Sequence, residues 1–302
     1  MRLVVTGRAG QLAQSLVERG RRADVEIVCL ARPEVDLLAP DRVARAIEDA
    51  RGDLVINAAA YTAVDKAESE PELALRVNGV GARAVAAAAA KTGRVIVQIS
   101  TDYVFDGALD RPYREEDPTA PISAYGRSKL AGEQEVAEAN ARHVIARTAW
   151  VYSPFGQNFL KTMLRLGLTR PEISVVADQW GSPTSALDLA DGLIAMARKI
   201  VAEPENKSLL GVFHMTGSHY TNWAGFAAAI FEQATALGRA PVKAMPISTA
   251  QYPTPAARPA NSRLDAGKLA RVYGLVLPEW RGAAQNCVKR LLDEPTMESQ
   301  KS

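Results

Sequence analysis

The chain has little cysteine and almost no net charge. Its 302 residues include two cysteines, Cys29 and Cys287, which lie far apart in the sequence. Two such residues provide neither a disulfide framework nor the ligand spacing of a zinc site. The 36 basic and 34 acidic side chains leave a net charge of +2. The chain therefore carries no strong field for nucleic acid, and we expect no nucleic-acid partner.

Long apolar runs and a leader pattern are also missing. The sequence opens with Met1-Arg2 and enters a strand pattern at once, without a charged-then-apolar segment. No apolar run approaches the roughly 20 residues of a membrane-spanning helix. We therefore expect no membrane association and a cytoplasmic location.

The first half alternates short apolar, β-branched runs with helical stretches. Such alternation predicts an α/β fold with a Rossmann-like, doubly wound parallel sheet. We expect the first helix to end at Gly20, because glycine commonly closes helices. The predicted strands cover residues 2–6, 25–30, 54–57, 94–100 and 143–147, and the predicted helices cover residues 11–20, 41–50, 67–92 (one or two helices) and 125–139.

The second half has a less regular pattern, punctuated by proline and glycine. We predict a dinucleotide-binding domain over residues 1–149 and a smaller, loop-rich substrate lobe over residues 150–302. A helix at about residues 185–201 is expected to return to the sheet. Residues from about Met297 onward are expected to form a polar tail.

Glycines follow the first predicted strand and precede the first helix, which is the context of a dinucleotide-binding turn. Gly7 allows the tight turn, and Gly10 lets the backbone approach a pyrophosphate, which the helix N-terminus stabilises. Ala13 is small enough for close packing of helix and strand. A purely structural turn is the alternative.

Arg32 follows the second strand, where an acidic residue would bind an adenosine ribose. A guanidinium suits a 2′-phosphate, so the sequence favours NADP(H) and leaves NAD(H) open. Asp36 could meet the adenine or ribose region. Arg32 as an ordinary loop charge is the alternative.

Two further strand ends carry small or hydroxyl side chains. Residues 57–62 (Asn-Ala-Ala-Ala-Tyr-Thr) leave room for a cofactor, because ligands of open sheets bind outside the carboxyl ends of strands. Ser100 and Thr101 end the fourth strand, and one of these hydroxyls could bind a substrate carbonyl. Packing and turn formation are the alternatives.

Tyr125 and Lys129 lie four residues apart on a predicted helix, and so on one helix face. A nearby ammonium favours the ionised phenol, so we expect Lys129 to lower the pKa of Tyr125 toward the range useful for proton transfer. Alone, the spacing is weak evidence for such a role, since exposed helix faces carry such pairs by chance.

Together these residues resemble the extended branch of the short-chain dehydrogenase/reductase superfamily and, within it, the dTDP-4-dehydrorhamnose reductase family. The resemblance extends from Met1 to about Leu292. The motifs that carry it are residues 7–12, 57–68, 100–107, 125–133, 147–152, 158–159, 178–184 and 258–264.

The resemblance implies reduction of the C4 ketone of a dTDP-linked keto-deoxysugar by NADPH or NADH. It implies that Tyr125 is the general acid, that Lys129 lowers its pKa and holds the nicotinamide ribose, and that Thr101 fixes the carbonyl oxygen. The expected cofactor-binding residues are Gly7, Gly10, Gln11, Leu12, Arg32, Asp36, Leu37, Ala58, Ala59, Ala60, Tyr61, Thr62, Ser100, Tyr125 and Lys129. The expected substrate-binding residues are Thr101, Asp102, Tyr103, Trp150, Asn158, Arg258 and Arg263, the last two as partners of the diphosphate.

Three points stay open. Some members of the family bind Mg²⁺ at a dimer interface, but this chain has Gln14-Ser15 where they carry a Glu. We therefore expect no dedicated magnesium site, and leave monomer and homodimer open. Two alternative functions are a non-catalytic regulatory subunit of the kind that partners methionine adenosyltransferase, and another extended-branch nucleotide-sugar reductase or epimerase.

Overall fold

The structure is a computed structural model that describes residues 1–293. The predicted polar tail lies outside the described residues. The strands are β1 (Arg2–Thr6), β2 (Glu26–Leu30), β3 (Leu54–Asn57), β4 (Val95–Thr101), β5 (His143–Thr148), β6 (Val151–Tyr152), β7 (Glu172–Val176), β8 (Trp180–Gly181), β9 (Thr184–Ser185), β10 (Gly211–His214), β11 (Thr221–Asn222) and β12 (Lys243–Ile247).

Helices cover both faces of the main sheet and build most of the second half. The α-helices are α1 (Gln11–Arg22), α2 (Pro40–Asp49), α3 (Pro71–Leu75), α4 (Gly81–Lys91), α5 (Ala124–Ala139), α6 (Phe159–Leu166), α7 (Ala186–Ala202), α8 (Trp223–Ala236), α9 (Gly267–Tyr273) and α10 (Trp280–Asp293). A π-helical turn, Arg76–Val80, joins α3 to α4.

The main sheet has six parallel strands in the order β2-β1-β3-β4-β5-β10. The strand order reverses between β1 and β3, and ligands of such sheets bind at this switch point. The expected Rossmann-like parallel sheet is confirmed. β10 comes from the second half of the chain and was not predicted.

Side chains of the buried strands alternate between two apolar cores. Leu3 and Val5 of β1 pack with α1, α7 and α9, whereas Val4 packs on the opposite face with α2 and α4. This alternation follows from the two-residue period of a strand and explains why the strands read as continuous apolar runs.

The second half contributes to the sheet and also has a core of its own. Leu189 and Leu193 of α7 lie in the same apolar core as Leu3. A separate core combines α6, α8 and α10 with β7, and Phe226 is fully buried in it. A boundary near residue 149 stays a prediction.

Gly20 does not end the first helix, contrary to the sequence-based expectation. Helix α1 continues to Arg22, and its C-cap is Ala23. A Cβ on Gly20 would lie 2.5 Å from Ile27 Cγ1 and 2.7 Å from the Val25 carbonyl oxygen. Glycine is required here by the close approach of α1 to β2, and not by the helix end.

Helix α5 touches the π-helical turn through another glycine. A Cβ on Gly132 would lie 2.1 Å from the backbone oxygen of Asn78.

We expect Gly132→Ala to destabilise the fold by about 1–3 kcal/mol, as overpacking usually does. Gly282→Ala in α10 is the matched control, because a Cβ there meets nothing within 4 Å. It should be neutral or stabilising by up to about 1 kcal/mol. Urea unfolding of both variants is the measurement, and equal effects would contradict the close approach.

Candidate active site

The start of α5 lies directly against the segment that follows β4. The Ser123 hydroxyl accepts a hydrogen bond from the Gly126 N–H and so caps the helix. A Cβ on Gly126 would lie 2.2 Å from the Tyr103 carbonyl oxygen. Glycine therefore lets the two segments touch, and the Tyr125 ring packs edge-on against the Tyr103 ring at 5.7 Å.

Ser100 and Thr101 project to opposite sides of β4, as strand geometry requires. Ser100 donates a 2.5 Å hydrogen bond to the Glu133 carboxylate. Thr101 donates to Asp102 Oδ1 at 2.8 Å. Its side chain also forms a hydrogen bond with the Tyr125 phenol. The fold therefore brings Thr101 and Tyr125 together, and it places Ser100 in a buried polar cluster on the other side.

Lys129 contacts β4, and the expected effect of its charge on the Tyr125 phenol stays a prediction. Its Nζ donates a 2.7 Å hydrogen bond to the Ile99 carbonyl of β4. Burial raises the pKa of the Tyr125 phenol above its ordinary value, and the charge of Asp102 raises it further, while Thr101 opposes the shift. Lys129 is thus directed to the strand, and the phenol holds its proton.

Asp102 is a buried carboxyl group beside this phenol, with 2% of its surface exposed. Burial raises the pKa of Asp102 to about 6, and hydrogen bonds with Ser262 and Thr101 oppose the shift. Its Oδ2 has no hydrogen-bond partner within residues 1–293. Asp102 therefore places a buried carboxyl group beside Thr101 and Tyr125.

A buried ion pair lies one turn beyond Lys129. Arg147 on β5 binds the Glu133 carboxylate through Nη2 at 2.7 Å and Nε at 2.9 Å, and both side chains are about 5% exposed. Burial lowers the pKa of Lys129 to about 8, and the Glu133 charge opposes that shift. This pair was not predicted from the sequence. The available signal was a Glu four residues after Lys129 on the same helix face.

The glycine turn lies at the switch point of the sheet. Gly7 has a φ of +95°, which favours glycine, and its N–H bonds to the Leu30 carbonyl at 2.7 Å. A Cβ on Gly10 would meet no atom within 4 Å, so the N-terminus of α1 is open. Leu12 is buried in the core behind it. Free N–H groups and an open approach suit a pyrophosphate.

Gln11 connects this turn to the second half of the chain. Its Oε1 accepts hydrogen bonds from Ser153 Oγ and Asn158 Nδ2, both at 2.9 Å. Asn158 also caps α6, since its Oδ1 accepts a bond from the Lys161 N–H. The structure therefore joins an expected cofactor residue to an expected substrate residue through a direct contact.

The loop after β2 carries exposed charge. Arg32 is exposed, Asp36 caps the turn that follows it, and Leu37 is buried. Arg8, which the sequence analysis did not select, lies 4.0 Å from Glu34 in the same loop. Arg8 and Arg32 thus both carry exposed positive charge in the loops at this edge of the sheet.

The loop after β3 is held by Asn78 in the π-helical turn. Asn78 Oδ1 accepts a bond from the Tyr61 N–H at 2.8 Å, and Nδ2 donates to the Tyr61 carbonyl at 3.0 Å and to Ser128 Oγ at 2.9 Å. Ala58, Ala59 and Ala60 are half-buried, and Thr62 is exposed. The π-helical turn therefore fixes this loop to α5. Turns of this kind often mark functional sites.

Trp150 combines packing with an unusual backbone. Its φ is +49°, rare for a tryptophan, and its ring stacks on Trp223 at 3.5 Å. A Cβ on Gly181 would lie 2.4 Å from the Trp150 ring. The ring is half-buried in the core of the second half. Strained backbone angles of this kind persist where packing on several sides fixes the residue, and they are often found at ligand sites.

The two expected diphosphate ligands lie in different surroundings. Arg258 forms an ion pair with Asp65 at 2.7 Å. Arg263 donates to Asn261 Oδ1 at 2.8 Å, and its guanidinium lies 6.0 Å from the Tyr220 ring centre. Arg258 therefore adjoins the loop after β3, whereas none of these Arg263 partners is an expected site residue.

Among residues 1–293, no group of three or more His, Cys, Asp or Glu side chains could hold a metal ion. The expectation about magnesium stays a prediction. None of the described helices has the length and apolar character needed to cross a bilayer.

This combination of fold and site defines a class of protein. A parallel sheet with a glycine turn at its switch point, with Thr101 at the end of β4 and with Tyr125 and Lys129 on α5, is that of an extended short-chain dehydrogenase/reductase. The family model described as "RmlD substrate binding domain" matches residues 1–293. The chain belongs to this family, and the resemblance found in its motifs is confirmed.

Named relatives and solved structures cover nearly the whole chain. A dTDP-4-dehydrorhamnose reductase of Sinorhizobium fredii is 51% identical over 294 residues, covering 97% of this chain and 99% of that protein. The reductase of Escherichia coli K12 is 45% identical over 261 residues, covering 86% and 85%. The structure of the Bacillus anthracis reductase in complex with NADP has 38% identity and a TM-score of 0.87, covering 96% and 99%.

The buried ion pair provides a stability test. We expect Glu133→Gln to lower the free energy of unfolding by about 3–5 kcal/mol, because Arg147 would keep a buried charge without its partner. Glu138→Gln is the control on the same helix. Glu138 pairs with Arg83 at 2.8 Å but is 71% exposed. Glu138→Gln should therefore lower the free energy of unfolding by at most about 1 kcal/mol. Urea denaturation measures both, and similar small losses would contradict a strong coupling through burial.

Proposed function

We propose that the chain reduces the C4 ketone of dTDP-4-dehydro-β-L-rhamnose to dTDP-β-L-rhamnose, the last step of dTDP-L-rhamnose biosynthesis, with NADPH or NADH as reductant. One observation carries the proposal. Thr101 and Tyr125 meet at the end of β4, where Lys129 bonds to the Ile99 carbonyl, in a chain 51% identical over 294 residues to a protein of that name.

The glycine turn would hold the dinucleotide. The positive φ of Gly7 and the open space beyond Gly10 leave the N–H groups of α1 accessible to a pyrophosphate. When bound, NADPH would supply the hydride. The half-buried loop of Ala58, Ala59 and Ala60 lies on the other side of the switch point and would border the cofactor.

Tyr125 would give its proton to the ketone oxygen as the alcohol forms. Its raised pKa keeps the proton on the phenol until a stronger base develops, and an alkoxide is a stronger base than a phenolate. Thr101 would orient the phenol and the ketone oxygen. Lys129, with a pKa of about 8, is mostly charged at neutral pH and would favour negative charge building up near it.

The role of Tyr125 is tested by removing its hydroxyl. We expect Tyr125→Phe to lower kcat by about 10²–10⁴-fold, the usual contribution of general acid–base catalysis. The assay follows NADPH oxidation with substrate made in place from dTDP-4-keto-6-deoxyglucose and a 3,5-epimerase, and NMR of the product gives its C4 configuration. Tyr273→Phe is the control. Tyr273 is also buried, but its hydroxyl bonds to the Leu209 carbonyl in the core.

A Tyr125→Phe rate within about threefold of the parent rate would contradict the acid role, since the drop would fall far below the usual contribution. A different C4 configuration would instead favour another extended-branch enzyme. No turnover of any keto sugar, together with a stoichiometric enzyme partner, would favour the regulatory subunit.

Cofactor preference is tested at Arg32. We propose that Arg32 binds the 2′-phosphate, so NADP(H) is the preferred cofactor. Arg32→Ala should raise the KM for NADPH about tenfold, while the KM for NADH stays within about twofold. Arg21→Ala, exposed at the end of α1, is the control for loss of one positive charge. Equal changes with both cofactors would contradict recognition of the 2′-phosphate.

A cytoplasmic location and the choice between monomer and homodimer stay predictions. Size-exclusion chromatography with light scattering, with and without Mg²⁺, would decide the oligomeric state and the metal dependence together.

A further inference from the structure

A segment of the second half, residues 252–264, lies against the loops at the end of the main sheet. The Ala256 N–H donates a 3.2 Å hydrogen bond to Asp65 Oδ1 in the loop after β3. A Cβ on Gly107, whose φ is +79°, would lie 2.6 Å from Pro259, so glycine allows the close approach. The segment therefore contacts the loops after β3 and β4, and both of these strand ends carry expected site residues.

One edge of the Arg258 guanidinium, in this segment, forms hydrogen bonds with protein atoms. Nη1 donates to Asp65 Oδ1 and to the Ala256 carbonyl, both at 2.7 Å, and Nη2 donates to Asp65 Oδ2 at 2.8 Å. Across the described part of the chain, these bonds leave the Nε–H and the second Nη2–H unused. These two donors lie side by side on the other edge, and this spacing matches two oxygens of one phosphate.

The surroundings of Arg258 connect it to the catalytic residues. The Arg258 charge partly offsets the burial that raises the pKa of the Tyr103 phenol, and Tyr103 packs on Tyr125. The Arg258 side chain is 19% exposed, while Asp65 is 45% exposed. A half-buried guanidinium next to the candidate active site is therefore fixed from its outer side by a more exposed carboxylate.

We propose that Asp65 is a positioning residue for substrate recognition. It holds the Nη1/Nη2 edge of Arg258, so that the Nε/Nη2 edge is presented as a fixed pair of donors to one phosphate of a nucleotide diphosphate. The proposal rests on the proposed function, because that function supplies the diphosphate. Fixing the guanidinium before binding removes part of the ordering that a free arginine would undergo on binding.

Simple electrostatics predicts the opposite effect for removal of the Asp65 charge. An anion near a diphosphate repels it, so Asp65→Asn should strengthen diphosphate binding if charge alone mattered. Positioning predicts weaker binding, because the guanidinium loses its partner and its fixed orientation. The sign of the change therefore separates the two explanations.

The experiment measures dTDP and thymidine binding to the whole protein by calorimetry. We expect Asp65→Asn to weaken dTDP binding about tenfold and to leave thymidine binding within about twofold. Asp117→Asn is the matched control, because Asp117 binds Arg111 through the same edge at 2.7 and 2.8 Å. It should leave both affinities unchanged. In the keto-sugar assay, Asp65→Asn should raise KM with little change in kcat.

Unchanged or tighter dTDP binding by Asp65→Asn would overturn the inference. Equal weakening of dTDP and thymidine would also overturn it, since that pattern reports general loss of structure. If Asp65→Asn does not fold, Arg258→Lys carries the test. A lysine keeps the charge but not two parallel donors, so dTDP should bind about tenfold more weakly, and unchanged binding would overturn the inference. A parent protein that binds no dTDP would overturn the proposed function itself.

Discussion

The buried ion pair of Glu133 and Arg147 fixes the end of the sheet on which the candidate chemistry depends. It joins α5 to β5, and Ser100 adds β4 through a further hydrogen bond to Glu133. Neither charge can lose its partner without remaining uncompensated in a buried region. The position of α5 against β4 is thereby set, and with it the position of Tyr125 relative to Thr101.

Several polar contacts connect the cofactor side of the molecule to its second half, and two of them involve expected substrate-binding residues. Gln11 binds Asn158 at the start of α6, and Asp65 binds Arg258 in the segment over the strand ends. Each contact joins a residue near the expected cofactor to one expected to meet substrate. The geometry between the two ligands would therefore be held by side chains that carry no chemistry themselves.

Local patterns in the sequence predicted the features that depend on neighbouring residues. Apolar runs identified five strands of the sheet, and the four-residue spacing placed Tyr125 and Lys129 on one helix face. The direction in which long side chains extend could not be predicted, because their partners lie on other elements. Lys129 binds a carbonyl of β4, and Ser100 binds Glu133, 33 residues later. The steric need for Gly20 likewise appears only once α1 lies on β2.

We expect Glu133 to affect catalysis through its placement of Tyr125, the proposed acid, against β4. A double-mutant cycle in single-turnover rate tests it, using Glu133→Gln in the parent and in Tyr125→Phe, with near-UV circular dichroism to confirm folding. The account predicts a clear loss of rate on Glu133→Gln in the parent and almost no further loss when the phenolic hydroxyl is already gone. If Glu133→Gln lowered the rate by the same factor in both backgrounds, that expectation would be contradicted.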